Sequence, residues 1–500
     1  MRPRSYPLGR LRRQQPLLNR RVWRQWHQTL RQRMHEHTAE LQYINDYCQR
    51  RLNGVVECSW TADKGRILKA NKPFKVGDEI LREHPLHVVA EDRGGSAFDE
   101  VAALCAERED WLDPLWYWAG LNSLLPDQLP QGETRIKPVT ADQQKQILLL
   151  YCHDITEASE ASKQLVSALG LTSRLNPVDL ERLLQRWIFN CFEHSDSPLA
   201  YSMYFMSSFM SHGCLPNAVW HHDNDDFTLR ARRDIQVGDE IVVSYLSEEA
   251  LLESTPARRQ SLQGSKDFLC SCDRCAAGLD TCRGFRLAGS TIFPDPATPD
   301  NALAFSMLDH TLTDVQVRTL RAEEHWFATQ VQTWGARIED KYSRADNLLV
   351  EMERGVQRAE RTLAQHWLLD RAWKYLSRLY DSEGRVYEAE AALNKRIAYQ
   401  VSVYPGLCGE HAWTLETYGD LLLKHHGLHD DSNLQAPRTG YAAAAVKAKL
   451  LYADAMKILR DMFGDKHEYF TNLEEKVGAL DKRLKRCKNT LSCASLERRA

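Results

Sequence analysis

The sequence contains no apolar run near the roughly 18 residues that a membrane-spanning helix requires, so it offers no helical membrane segment. Cysteine is dilute. Thirteen in 500 residues cannot staple a chain of this length as a disulfide framework, and several are clustered, a pattern that suits a reducing compartment and a metal. Compositional bias is absent as well. At 43% hydrophobic and 27% charged the chain is neither collagenous nor wholly disordered, and its length allows about two to four domains. Acidic residues are missing from the first 35 positions, which hold ten arginines, so the net charge of −3 divides into +10 there and −13 over the remaining 465 residues. An acidic body does not suit direct nucleic-acid binding, which needs a basic stripe. It suits a basic partner.

Residues 1–50 form a basic extension. Its Arg-rich start fits a mitochondrial presequence, a basic arm, or a solvated terminus that becomes helical after about Val22. Residues 53–90 read as β-structure, with short apolar runs broken at Lys64-Gly65, Pro73 and Gly77-Asp78. A helical insert follows over about 97–190. Trp111, Leu115, Trp118, Leu121 and Leu125 mark one of its helices, and Asn176 followed by Pro177 marks the N-cap and first position of another, with Leu180, Leu183, Leu184, Trp187 and Ile188 as its apolar face. Strand patterns return over 200–246. One stretch echoes another: Leu68–Ile80 and Leu229–Ile241 share seven of thirteen residues at a constant offset of 161, including a contiguous Val-Gly-Asp-Glu. The echo predicts two similar strand–turn–strand units separated by the insert. Residues 283–312, with Pro294, Pro296 and Pro299, read as a linker, and 313–490 as helical pairs of the tetratricopeptide type. There Tyr404-Pro-Gly…His411 is loosely repeated at Phe463-Gly-Asp-Lys-His467.

Cys270, Cys272 and Cys275 can surround one tetrahedral Zn²⁺ but leave a fourth position open. Cys282 is a local candidate for that position and Cys214 a remote one. A remote ligand would pin the later segment onto the preceding β-domain. Disulfides are the alternative use of these thiols. Cys58, Cys105, Cys152, Cys408 and Cys487 read as small buried hydrophobes or surface thiols.

Several stretches stand together in a recognisable order: Lys64-Gly65-Arg66; Asn190-Cys191-Phe192; Ser208; Ser211-His212-Gly213-Cys214-Leu215-Pro216-Asn217; Gly238-Asp239-Glu240 through Tyr245; and Phe268 leading into Cys270, Cys272 and Cys275. In these the chain resembles the SET-domain protein-lysine methyltransferases of the SET-and-MYND type, over about 55–282 and more weakly to the end. The resemblance implies an α+β fold: a SET β-domain with a helical insert over 51–282, a zinc-binding post-SET segment over 268–282, and an all-α tetratricopeptide-like domain. It implies S-adenosyl-L-methionine as methyl donor and a structural zinc on Cys214, Cys270, Cys272 and Cys275. By the same resemblance Lys64, Gly65, Arg66, Asn190, Ser208, Ser211, His212 and Phe268 line the cofactor, Tyr245 both touches it and is catalytic, and Tyr204 walls the target-lysine channel.

The residue types suit the chemistry. A free lysine has a pKa of about 10.4, and an apolar aromatic channel beside a positive sulfur favours its neutral, nucleophilic form. A tyrosine hydroxyl and backbone carbonyls can orient the amine. The expected substrate is a basic, lysine-containing protein segment, a histone tail among the candidates, with no membrane partner, a monomeric chain, and a cytoplasmic or nuclear address unless the Arg-rich start directs it to mitochondria. Three positions depart from the family pattern. Ile67 stands where a second glycine is usual, and would be strained if that site needed positive φ. Ser211 and Gly213 replace an Asn and a Ser. No zinc-finger cysteine set of the MYND kind is found over 91–190. These departures leave a second reading, an inactive SET domain serving as an interaction scaffold through its helical repeats.

Overall fold

The computed structural model describes residues 38–296, 312–339, 347–428 and 440–497. The Arg-rich residues 1–35 lie outside these. The basic extension read as 1–50 does not stay apart from the first domain: residues 38–52 form a helix, α1, whose Ile44, Cys48 and Leu52 recur every four residues and are buried in that domain's core.

Strands β1 (Val56–Thr61) and β2 (Gly65–Ala70) form an antiparallel hairpin, followed by β3 (Glu79–Glu83) and β4 (His87–Ala90). Five helices make up the insert: α2 (Ser96–Ala106), α3 (Pro114–Leu121), α4 (Ala141–Leu149), α5 (Glu160–Ala168) and α6 (Pro177–Asn190). The Asn176 side chain accepts the Val178 N–H at the start of α6, and Leu180, Leu183, Leu184 and Trp187 are buried along its face. Helix α3 is shorter than its apolar pattern predicts: Trp111 and Leu125 flank it, because Asp113-Pro114 caps one end and Pro126 opens a new turn. The chain then returns to β-structure with β5 (Cys191–Asp196), β6 (Leu199–Met203), β7 (Ser211–His212), β8 (Ala218–Asp223), β9 (Asp226–Ala231) and β10 (Val242–Val243). The sheets run β3-β9-β8 and β4-β6-β5, and β10 lies parallel to β7.

The two echoed segments do more than share a shape; they pair with each other. Gly77 N–H donates to Ala231 O at 2.8 Å, and its counterpart Gly238 donates to Ala70 O at 2.8 Å. Ala231 N–H donates to Asp78 O at 2.9 Å, and its counterpart Ala70 donates to Asp239 O at 3.0 Å. Phe74 bridges Ile235, each one its partner's equivalent. Both turns carry the glycine in the left-handed region, φ 84° and 87°. The repeat is thus a local two-fold. It explains why the motif occurs twice: each copy supplies the backbone partners of the other.

Pro299 lies outside the described residues, and residues 283–296, the described start of the stretch read as a linker over 283–312, do not form a simple linker. They open with β11 (Arg283–Leu287) and β12 (Ser290–Ile292), joined by Ala288-Gly289 with both φ positive, 48° and 85°. That is the conformation of a two-residue hairpin turn. Phe285 and Ile292 are buried, and a later strand, β13 (Leu363–His366), completes a three-stranded sheet. The remaining helices follow: α7 (Thr255–Lys266) and α8 (Asp273–Ala276) before that hairpin, then α9 (Asp314–Glu339), α10 (Leu348–Ala359), α11 (Trp367–Ser382), α12 (Val386–Val403), α13 (Gly409–His425), α14 (Tyr441–Phe463) and α15 (Glu468–Glu497). Close crossings use small residues; a Cβ on Gly419 would stand 2.4 Å from the Tyr452 ring. No helix among the described residues is long and apolar enough to cross a membrane.

The helical region is fastened to the β-domain by a buried pair. Arg232 meets both Glu248 carboxylate oxygens at 2.6 and 2.8 Å and also donates to Leu407 O, while Gly409 N–H donates to Glu248 at 2.7 Å. A second buried cluster ties the small sheet to α9. Glu324 takes two 2.7 Å bonds from Arg283 and one of 3.1 Å from His366. Burial alone would push the Glu324 carboxyl up, but the His366 and Arg283 hydrogen bonds outweigh it and hold it at about 2. Its contribution to stability is therefore complete above the unfolded carboxyl pKa of about 4.3, and is lost as pH falls from there toward 2. It amounts to the order of 3 kcal/mol. In urea unfolding at descending pH, the wild-type chain is expected to lose stability more steeply over this window than Glu324→Gln; parallel curves would contradict the assignment.

Candidate active site and metal centre

Cys214 follows β7, Cys270 and Cys272 come from the segment joining α7 to α8, and Cys275 lies within α8. The four sulfurs all lie within 4.8 Å of one another, Cys214 standing 3.5 Å from Cys275 and 3.9 Å from Cys270. Sulfurs around a tetrahedral zinc, at Zn–S of about 2.3 Å, stand about 3.8 Å apart, so this spacing fits a shared ion. All four are free thiols. Cys282 is elsewhere in the same core, its sulfur accepting from Arg274 at 3.2 Å. Crowded together, the four thiols share protons unevenly: hydrogen bonds among them lower Cys272 and Cys275 and raise Cys214 and Cys270. Thiolates are what a zinc site needs.

An arginine shell surrounds the sulfurs. Arg258, fully buried, approaches Cys275 Sγ at 3.7 Å and Thr255 at 2.9 Å. Arg259 donates to Cys270 O and Cys275 O, and Arg274 to Cys214 O and Leu251 O. These contacts orient the ligand backbone and offset the negative charge that four thiolates around a divalent ion leave behind. Sequence reading missed all three arginines. They sit within helical or loop stretches where arginine is unremarkable, and no spacing rule marks them.

His212 links this cluster to Tyr245. Burial holds its imidazole down at about 4, so it is neutral near pH 7. Its Nδ1 accepts the Tyr245 N–H at 3.0 Å, which places the ring proton on Nε2, 3.2 Å from Cys214 Sγ. One imidazole therefore holds the Tyr245 backbone on one side and a cluster sulfur on the other. The Tyr245 hydroxyl donates to Met210 O at 2.5 Å. Ring centres of His212, Tyr245 and Phe268 lie 5.4, 6.0 and 6.3 Å apart. Desolvation around the hydroxyl, although the residue as a whole keeps 41% of its surface exposed, and the Glu240 charge push the Tyr245 hydroxyl well above the usual tyrosine range, so it stays protonated as a donor.

Glu240, in the second Val-Gly-Asp-Glu copy, joins two further residues. Lys64 Nζ lies 2.7 Å from its Oε2, and Ser211 Oγ bonds its Oε1. Gly65 takes φ 72°, with open space where a Cβ would stand. Ser208 Oγ donates to Tyr204 O and reaches Asn190 O at 3.4 Å, while Asn190 Nδ2 donates to Tyr151 O and Arg186 O. Two residues stand apart from this gathering. Arg66 turns to the insert and to α1, bonding Leu149 O and Glu40. Tyr204 is buried against Phe192 and Phe227 at 5.5 and 4.7 Å, on the sheet rather than against the Tyr245 ring. Ile67 sits inside β2, opposite Ser59 in the hairpin, and is not among the residues with positive φ. The strain expected of it does not arise.

Residues 65–246 match the family model described as SET domain. The chain is 28% identical over 273 residues to the histone-lysine N-methyltransferase SMYD3 of Homo sapiens, an overlap covering 44% of this chain and 61% of that protein's length. It is 35% identical over 80 residues to the protein-lysine N-trimethyltransferase SMYD5 of Gallus gallus, covering 16% of this chain and 19% of that one. Among solved structures, Rubisco LSMT bound to AdoMet aligns over 89% of this chain and 93% of its own at 15% identity, with a TM-score of 0.27, an overlap too loose to bear on the site.

The purified chain is expected to carry one zinc per molecule by elemental analysis. Cys270→Ser is expected to lose the metal and to unfold several degrees lower. Zinc-free wild-type protein, or a variant that keeps its zinc, would contradict the four-sulfur assignment.

Proposed function

We propose that the chain, whose residues 65–246 match the SET domain model, is akin to the SET-and-MYND proteins and is a protein-lysine N-methyltransferase using S-adenosyl-L-methionine. The observation that carries the reading is the junction at His212, where one imidazole connects the cysteine cluster to Tyr245 while Phe268 closes over both. When bound, the cofactor supplies a methyl group made electrophilic by a positive sulfur. The donor set suits such a molecule. Gly65 leaves an open backbone face, Lys64 offers an ammonium toward a carboxylate, Asn190 and Ser208 converge, and His212 with Phe268 offers aromatic surface. Ser211 and Lys64 are held in place by Glu240. Arg66, turned toward Leu149 and Glu40, is left out of this set.

Tyr245 does the orienting. Its backbone is fixed by His212 and its hydroxyl by Met210 O, so a substrate amine meets a preset hydroxyl and carbonyl instead of mobile water. Aromatic surface disfavours an ammonium beside a positive sulfur. The cysteine cluster takes no part in the transfer; it holds the walls together.

The acidic body supports a basic protein segment as substrate, with a histone tail as one case, and the helical region docked through Arg232 and Glu248 is suited to roofing that segment. A cytoplasmic or nuclear address goes with this substrate class, and a reporter fused to residues 1–40 tests the mitochondrial alternative. In β2 Ile67 escapes the strain that favoured an inactive scaffold.

With radiolabelled methyl donor and a proteome extract, Tyr245→Phe is expected to transfer methyl groups on the order of 10²-fold or more slowly than wild type. Calorimetry should find its cofactor affinity little changed. Full transfer by this variant would remove Tyr245 from the mechanism.

A further inference from the structure

Lys266 is the last residue of α7, and Asp267 after it takes the left-handed conformation at φ 54°. That turn ends the helix and leads the chain into Phe268 and the cysteine cluster. Lys266 Nζ donates to Phe189 O at 3.2 Å and to Ile188 O at 3.4 Å, the last carbonyls of α6 before Asn190. It also stands 5.9 Å from the centre of the Tyr245 ring. A lysine on the C-terminal carbonyls of a neighbouring helix is an ordinary stabilising device. This one has three further properties. Its ammonium lies against the one tyrosine assigned to orient an acceptor amine. It is held by backbone carbonyls, the kind of group proposed above to orient such an amine. And burial pulls its pKa below the usual lysine range, which raises the neutral, nucleophilic fraction.

We propose that Lys266 is a methyl acceptor of the chain's own site, modified in cis by the activity inferred above, on which this proposal rests. Nζ first gives a proton to solvent. Its lone pair then forms the new N–C bond as the methyl carbon's bond to sulfur breaks, the electron pair remaining on sulfur in S-adenosyl-L-homocysteine, and the amine is left as methylammonium. Tethering sets the geometry in advance, so no encounter between two molecules is needed. Until the side chain is methylated or swings aside, an incoming protein lysine competes with Lys266 for the space beside Tyr245.

The test uses the full chain. It is incubated with isotope-labelled S-adenosyl-L-methionine over a dilution series, and the peptide containing Lys266 is read by mass spectrometry, counting any methyl already present. The expected result is near-stoichiometric methyl on Lys266, at a fractional rate unchanged by dilution, and none in Tyr245→Phe. A second readout needs no cofactor: in ¹³Cε-lysine-labelled protein, the resonance lost in Lys266→Arg should titrate below those of exposed lysines. A chain that binds S-adenosyl-L-homocysteine and methylates other proteins yet leaves Lys266 bare overturns this proposal alone, as does labelling that slows on dilution or a Lys266 resonance that titrates with the exposed lysines. A chain that binds no cofactor overturns the methyltransferase reading and this proposal with it.

Discussion

Four sulfurs meeting at one point is the constraint on which the site depends. Cys214 comes from the bend after β7, and its three partners come from a segment 56 to 61 residues later. Unpaired, four crowded thiols have little reason to converge; with a divalent ion they become ligands, and binding free energy becomes folding free energy. The convergence draws the segment after α7 against the bend after β7. In consequence Phe268 and Lys266 arrive beside Tyr245, and His212 is held between a sulfur and the Tyr245 backbone. The arginines around the cluster fit this account. Arg258 is buried beside Cys275, a position that is costly for a cation unless negative charge is gathered there.

The internal repeat divides its labour. In the first copy Glu79 pairs with Arg82 on the surface at 2.9 Å. In the second, the equivalent Glu240 is drawn inward and bonds Ser211 and Lys64. Both copies keep their glycine at positive φ and exchange the same backbone hydrogen bonds. The two-fold is thus a scaffold whose symmetry is broken at one carboxylate. That break puts a charged anchor beside the candidate cofactor site without disturbing the strands.

Much of this was legible where local rules apply. Asn176-Pro177 opened α6 because a cap needs only its neighbours, and the echo at offset 161 announced two like units. Long-range partners were hidden. Arg66 belongs to Glu40 and Leu149, which no spacing connects to it, and Glu240 acts through two residues distant in sequence. The β11–β12 hairpin was read as linker because its turn places Ala288 at positive φ, where turn rules look for Asn or Gly. Lys266 carries no sequence signal, because a basic residue ending a helix needs no special explanation until the fold shows what lies opposite.

The central claim is that the metal cluster holds the tyrosine and its aromatic walls in a state able to bind a cofactor. It is tested most directly by calorimetric titration of S-adenosyl-L-homocysteine into the zinc-loaded chain, repeated after the zinc is stripped by a chelator and again after it is restored. The account predicts binding, loss of binding, and recovery. Equal affinity with and without the metal would contradict it.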